Sequence, residues 1–310
     1  MKKSRISATV CLGMLMSLLS VIMLTDVRAQ EGYIVMERHT KRVLLAANSE
    51  QIVGTGSFSQ LATAKVVLDW AKLSGTSLST MIPVSAGVAN SGLGNVLGLR
   101  GGDFISMRDA IYTISLTQDK VCSLVLAEFV GSQLLSKRGK TGSPFTAFLK
   151  EMNQLAGHLN MKFTKFKSPA GSLGKTKISD LAKLAASVQG TKGYDFYAKQ
   201  KSRSVKVQRA SGSTQTLNIK STNSLLGQLS ISGLAVEGNH AVISADKSNV
   251  VQKLADGRAA VTPRQLIVIS HGSTNRDARV RQLINSGWQQ YESWRNQGFP
   301  ISSTRKEFLR

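Results

Sequence analysis

Thr55-Gly56-Ser57-Phe58-Ser59-Gln60-Leu61-Ala62-Thr63 is the stretch on which the reading of this chain turns. From Ser59 to Leu73 the apolar residues Leu61, Ala64, Leu68 and Ala71 recur at helical spacing and mark one face of a helix. Ser57 and Gln60, three residues apart, share a face at its start. A hydroxyl there is favoured by the helix N-terminus, which stabilises developing negative charge. Gln60 carries an amide that does not titrate in water, so it supplies no base.

Working outward, Tyr33-Ile34-Val35-Met36 and Val43-Leu44-Leu45-Ala46 read as two strands of a hairpin. The Gly- and Ser-rich sequence from Ser74 to Gly102 reads as loop. Arg108 to Leu116 and Val121 to Leu135 are helical, separated by the polar tetrad Thr117-Gln118-Asp119-Lys120. A further helix runs from about Phe145 to Leu159, and Ser179-Asp180 is suited to cap one ending near Gln189. Then Val205-Lys206-Val207, Thr216-Leu217-Asn218-Ile219, Ala241-Val242-Ile243 and Leu266-Ile267-Val268-Ile269 are strand-like, and a last helix spans Asp277 to Trp294. Strands at both ends with helices between them predict an α+β fold, its sheet built from the two termini.

The composition fits a folded chain of 310 residues with 42% hydrophobic residues, 19% charged residues and 5 prolines. Lys2, Lys3 and Arg5 precede an uncharged, mostly apolar run from Ile6 to Leu24, and Val27-Arg28-Ala29 follows with small residues suited to cleavage. Residues 1–29 are therefore expected to be a signal peptide, with an uncleaved membrane anchor as the alternative. Residues 30–310 are expected to form a single exported domain in the periplasm or cell envelope. Cys11 lies in the removable segment, which leaves Cys122 without an intrachain partner. The formal charge of +22 suits anionic partners such as head groups or envelope polymers, or serves only to keep an exported chain soluble. Export and an aromatic content of 6% disfavour nucleic acid.

The segment around Ser57 resembles Pro-Ala-Ser-Leu-Thr-Lys-Ile-Met-Thr of the serine D-alanyl-D-alanine carboxypeptidases, the low-molecular-mass penicillin-binding proteins of peptidase family S11. The similarity continues through Asp109-Ala110-Ile111 to Leu126-Ala127-Glu128 and on to Ser132, through Ser168-Pro169-Ala170-Gly171, and through Ser179-Asp180-Leu181-Ala182. It resumes at Asn223-Ser224-Leu225-Leu226 and Gly233-Leu234, covering roughly Tyr33 to Trp294. The resemblance implies the penicillin-recognising serine hydrolase fold (β-lactamase/transpeptidase-like): an antiparallel sheet from both termini with an inserted helical cluster. It also implies action on peptidoglycan stem peptides, without metal or cofactor.

In that family the lysine of Ser-x-x-Lys takes the serine's proton. Here Ser57 holds the nucleophile position and Gln60 the lysine position. Gln118-Asp119-Lys120 stands where the family has Ser-x-Asn, so Lys120 occupies the asparagine position: a displaced base, or a solvated loop lysine. Past Gly233-Leu234 the Lys-Thr-Gly motif is expected to be deleted rather than substituted, since only Ala235-Val236 precede Glu237-Gly238-Asn239. Gln118, Gly233 and Ala235 would line the substrate site. Ser57 is expected to be a surface hydroxyl with no demanding partner.

Other residues point elsewhere with less force. His39, His158, His240 and His271 are scattered and lack metal-ligand spacing. Ala170-Gly171-Ser172-Leu173-Gly174 lacks the first glycine of a nucleophile elbow. Cys122 is a small buried residue or else a reactive thiol. Lys199, Lys201 and Arg203 alternate as on a strand, a solvated face or a polymer-binding stripe. The chain is expected to be an impaired relative that binds peptidoglycan peptides. The alternatives are a weak carboxypeptidase using Ser57 with Lys120, or a basic periplasmic protein that binds anionic envelope polymers. Membrane contact is expected only through an uncleaved N-terminal segment.

Overall fold

The apolar run Leu266-Ile267-Val268-Ile269 ends up in the middle of one sheet, because both of its faces are covered. A computed structural model describes residues 30–171, 173–253 and 256–297; the expected export segment lies outside them. In chain order the strands are β1 (Gly32–Glu37), β2 (Val43–Ala47), β3 (Ile52–Gly54), β4 (Met81–Pro83), β5 (Phe104–Ser106), β6 (Lys175–Lys177), β7 (Ser202–Gln208), β8 (Thr214–Lys220), β9 (Ile231–Glu237), β10 (His240–Lys253) and β11 (Ala259–His271). The helices are α1 (Ser59–Ser74), α2 (Ala86–Ala89), α3 (Met107–Thr117), α4 (Lys120–Lys137), α5 (Pro144–His158), α6 (Ile178–Gln189), α7 (Tyr194–Ala198) and α8 (Arg276–Asn296).

The main sheet has the order β2-β1-β11-β10-β9 and is antiparallel throughout. Successive side chains on a strand point to opposite faces. Ile34, Met36, Val242, Ile267 and Ile269 therefore face the helical cluster of α1, α3, α4 and α6. Val35, Ile243, Leu266 and Val268 face α8, which presents Val280, Leu283, Ile284, Trp288 and Tyr291. Each such fully buried side chain contributes about 1.5–3 kcal/mol. This two-sided burial explains why Leu266-Ile267-Val268-Ile269 reads as continuous apolar sequence.

Several local expectations need correction. Residues 74–102 are not all loop, since they hold β4 and α2. Ser179 and Asp180 are not caps: α6 begins at Ile178, with Lys177 at its N-cap and no side-chain cap bond. Asp180 instead turns inward, accepts the Phe163 N–H at 3.3 Å and pairs with Lys183 at 2.7 Å. Of the basic alternation at 199–203 only Arg203 lies on a strand, β7. Lys199 caps α7 and meets Asp195 and Asp246, while Arg203 lies over the Tyr112 ring, 4.5 Å from its centroid. True caps appear at Ser106, whose Oγ accepts from Asp109 N, and at Asp119, whose Oδ1 accepts from Cys122 N.

Candidate functional site

Ser57 sits in a 3-10 turn, Gly56–Phe58, that runs directly into α1. Its side chain is not at the surface: Ser57 is 3% exposed and both of its polar groups are engaged. Glu237 Oε2, at the end of β9, accepts the Ser57 N–H at 2.8 Å and lies 2.9 Å from Ser57 Oγ. Gln118 Oε1 lies 2.7 Å from the same hydroxyl. One hydroxyl proton thus faces two acceptors. The Gln118 amide is oriented by its Nε2, which donates to Val236 O on β9.

Gln118 reaches this place through its backbone. As the C-cap of α3 it takes the left-handed conformation, φ 56° and ψ 37°, which costs a non-glycine residue about 1–2 kcal/mol. Gln60 points into the core behind Ser57. Its Nε2 donates to Gln118 O at 2.9 Å, with Asp119 O and Ala170 O each at 3.4 Å. Three carbonyl oxygens therefore converge on a donor just behind Ser57, whereas Gln60 Oε1 is buried without a partner among the described residues. Such a set of acceptors matches an ammonium better than an amide.

Lys120 makes no side-chain bond to this cluster among the described residues. It is the first residue of α4, its N–H is bonded to Gly94 O, and its side chain makes no hydrogen bond or ion pair among the described residues. Asp119 does not serve Lys120 either. Its two oxygens take the N–H groups of Cys122 and Val96, and burial raises its pKa against the pull of those bonds.

The cluster is packed tightly. Gly56 has φ +46°, and a Cβ there would lie 2.5 Å from Glu237 Oε2. Gly171 has φ +79°, and a Cβ there would lie 1.9 Å from Gly56 O. The loop carrying Gly171 also bonds α1, since Thr63 Oγ1 donates to Pro169 O at 2.8 Å. Ala235 and Ser57 line a cavity of only about 10 Å³ together with Gln60, Gln118 and Tyr194, roughly the room of one water. Gly233, φ +101°, lets β9 approach Ala198 O of α7 and faces that helix rather than the cavity. A strand continues beyond Gly233-Leu234, although without Lys-Thr-Gly. It runs through Ala235 and Val236 to Glu237 before a two-residue turn at Gly238-Asn239.

Glu237 is the residue that sequence reasoning missed. The signal was there: Gly-Asn between two apolar runs marks a hairpin turn, so Glu237 closes a strand rather than sitting in a loop. Two histidines thought scattered also meet, His240 and His271 stacking with ring centroids 3.9 Å apart. Cys122 is wholly buried and its thiol is pushed well up by that burial, which keeps it protonated. Among the described residues no cluster of three or more His, Cys, Asp or Glu side chains could hold a metal ion. Among them, too, no helix is long and apolar enough to cross a membrane.

A serine at a helix start, set against the edge strand of a sheet built from both ends of the chain, defines the class: the penicillin-recognising serine hydrolase fold. The Streptomyces K15 DD-transpeptidase superimposes with a TM-score of 0.66 at 23% identity, over 83% of this chain and 96% of that one. Penicillin binding protein 6B from Escherichia coli gives 0.64 at 20% identity, over 84% of this chain and 77% of its own. The sequence narrows this further. Residues 21–240 match the D-alanyl-D-alanine carboxypeptidase family, peptidase S11, and the chain belongs to it.

Two relatives carry names of that kind. A D-alanyl-D-alanine endopeptidase of Pseudomonas aeruginosa is 25% identical over 222 residues, 69% of this chain. The D-alanyl-D-alanine carboxypeptidase DacF of Bacillus subtilis is 20% identical over 264 residues, 84% of this chain. The chain spans 66% and 62% of the lengths of these two relatives.

Proposed function

We propose that this chain is an exported, catalytically impaired member of its family that engages peptidoglycan stem peptides without cleaving them. One observation carries the reading: Ser57 Oγ is held between Gln118 Oε1 and Glu237 Oε2, at 2.7 and 2.9 Å, with no lysine on the helix face behind it. Loss of a positioned base removes about 10²–10⁴ in rate. Each lost electrostatic stabiliser removes roughly another 10²–10³ when measured singly, and these factors do not simply multiply. Here the Ser57 N–H, a donor at a helix start that would serve a developing oxyanion, is already occupied by the Glu237 carboxylate. Peptide binding at Ser57 requires Gln118 and Glu237 to turn aside, because the present cavity takes no more than a water.

A second reading has its own support. Glu237 Oε2 lies within hydrogen-bond reach of Ser57 Oγ, so residual turnover would pass the serine proton to Glu237 rather than to Lys120. Fluorescent penicillin labelling and D-alanine release from a pentapeptide decide between the two. The expected result is no acyl-enzyme and no D-alanine, together with calorimetrically measurable pentapeptide binding. Acylation lost in Glu237→Gln but kept in Lys120→Ala replaces this reading by a Ser57–Glu237 enzyme. Acylation lost in Lys120→Ala restores the displaced lysine. Absence of both acylation and pentapeptide binding removes the peptide as ligand.

A further inference from the structure

Three short segments bring Lys165, Lys175 and Lys177 onto one face. Strand β3 pairs with β6 so that Ile52 is opposite Lys177 and Gly54 opposite Lys175. On the other side of β6, Lys165 and Lys175 exchange both backbone hydrogen bonds, 2.8 and 3.2 Å. Opposite residues in an antiparallel pair share a face. The inner face holds Val53, Thr176 and Thr164, the two threonines joined by a 2.8 Å hydrogen bond. The outer face holds Ile52, Lys177 and Phe163 across one row, with the Lys177 ammonium 3.5 Å from the Phe163 ring centroid. Gly54, Lys175 and Lys165 form the next row, and Lys167 and Leu173 are exposed just beyond it.

This face is unusual in two respects. Its large apolar side chains lie open to solvent: Ile52 is 59% exposed, Phe163 54% and Leu173 83%. Its charge is almost all of one sign. Lys177 has Glu50 at 3.1 Å, whereas Lys165, Lys167 and Lys175 have no carboxylate partner among the described residues. Lys150 of α5 adds to the set, lining one open groove with Lys165 and Lys167. The nearby acid Asp180 is buried and committed to Lys183 and to Thr164.

We propose that this ribbon face docks on an anionic phospholipid bilayer. Lysines find the head-group phosphates, each worth about 1 kcal/mol near such a surface, while Ile52, Phe163 and Leu173 enter the boundary with the acyl chains. A dissolved polyanion satisfies the lysines equally well but gives the exposed apolar side chains no partner. Docking also fixes the catalytic-site region relative to the membrane. Strand β3 leads straight into Thr55-Gly56-Ser57, and Gly174 O accepts the Thr55 N–H at 3.0 Å. The rim of the Ser57 cleft then lies close to the lipid surface. The proposal is independent of whether Ser57 turns over.

Co-sedimentation of the full chain with vesicles of phosphatidylglycerol, and separately of phosphatidylcholine, tests it. The triple variant Lys165→Glu/Lys167→Glu/Lys175→Glu should lose about a hundredfold in partitioning onto phosphatidylglycerol. The variant Lys192→Glu/Lys206→Glu/Lys220→Glu makes the same change of net charge at exposed sites elsewhere and should lose far less. Phe163→Ser/Leu173→Ser should lose about tenfold with its salt dependence unchanged. All these residues are exposed, and melting temperatures close to wild type confirm that each variant is folded. Equal losses in the two triple variants would show net charge alone at work and overturn the proposal. Full binding by Phe163→Ser/Leu173→Ser would make the face a polyanion surface instead. A wild-type chain with no preference for phosphatidylglycerol also sinks the idea.

Discussion

Replacing Glu237 by alanine isolates the contact that distinguishes this site. In the wild type a single oxygen, Oε2, serves Ser57 N at 2.8 Å and Ser57 Oγ at 2.9 Å. The hydroxyl keeps Gln118 as a partner after the substitution, so the group orphaned is the N–H. A buried donor left unsatisfied costs about 1–3 kcal/mol. Glu237 is partly exposed, so water follows into the space and recovers part of this, leaving a loss of about 1–2 kcal/mol. For a domain of this size that is a fall of about 2–4 °C in melting temperature. The vacated space borders an N–H at a helix start, which is suited to a small carboxylate. Acetate at ten times its dissociation constant would return about 1.4 kcal/mol. Thermal melts at neutral pH in acetate and in chloride, at equal ionic strength, read both effects. The reasoning fails if Glu237→Ala melts with the wild type, or if acetate stabilises both chains equally. Ser57→Ala serves as the contrast: it keeps the N–H to Glu237 bond and should cost about 0.5–1.5 kcal/mol, with no acetate effect.

Gly171→Ala should destabilise by about 3–5 kcal/mol, since the new Cβ would lie 1.9 Å from Gly56 O in a backbone that cannot yield and at φ +79°; a denaturation midpoint near wild type would show that the Gly56–Gly171 contact is looser than described. Acid should weaken the fold through its histidines. Burial holds His271 at about 4, with His240 adding to the effect, and holds His39 at about 4, with Arg38 adding, both from an ordinary 6.5. The unfolded chain then binds protons that the native chain refuses, so stability falls as pH drops from about 6.5 to about 4 and these two groups contribute no further loss below that. Urea midpoints across this range check it, and His271→Gln should flatten the slope; an unchanged slope would put the acid sensitivity elsewhere.

The sequence by itself determined the elements and their class. The period of Leu61, Ala64, Leu68 and Ala71, the hairpin at Tyr33–Ala46 and the β-branched runs near the C-terminus are local signals, because a helix or strand is specified by neighbours within a turn or two. Ser57 and Gln60 were legible for the same reason, being three residues apart on one helix. Tertiary structure alone decided how the site is filled. Glu237 reaches Ser57 from 180 positions away, and Gln118 bonds the hydroxyl from a left-handed cap that turns its backbone there. His240 and His271 stack only because β10 and β11 pair. The lysines of residues 165–177 gained a common face with Ile52 only through the register of β3 against β6. Contacts between distant segments depend on which strands close into register, and no local spacing encodes that.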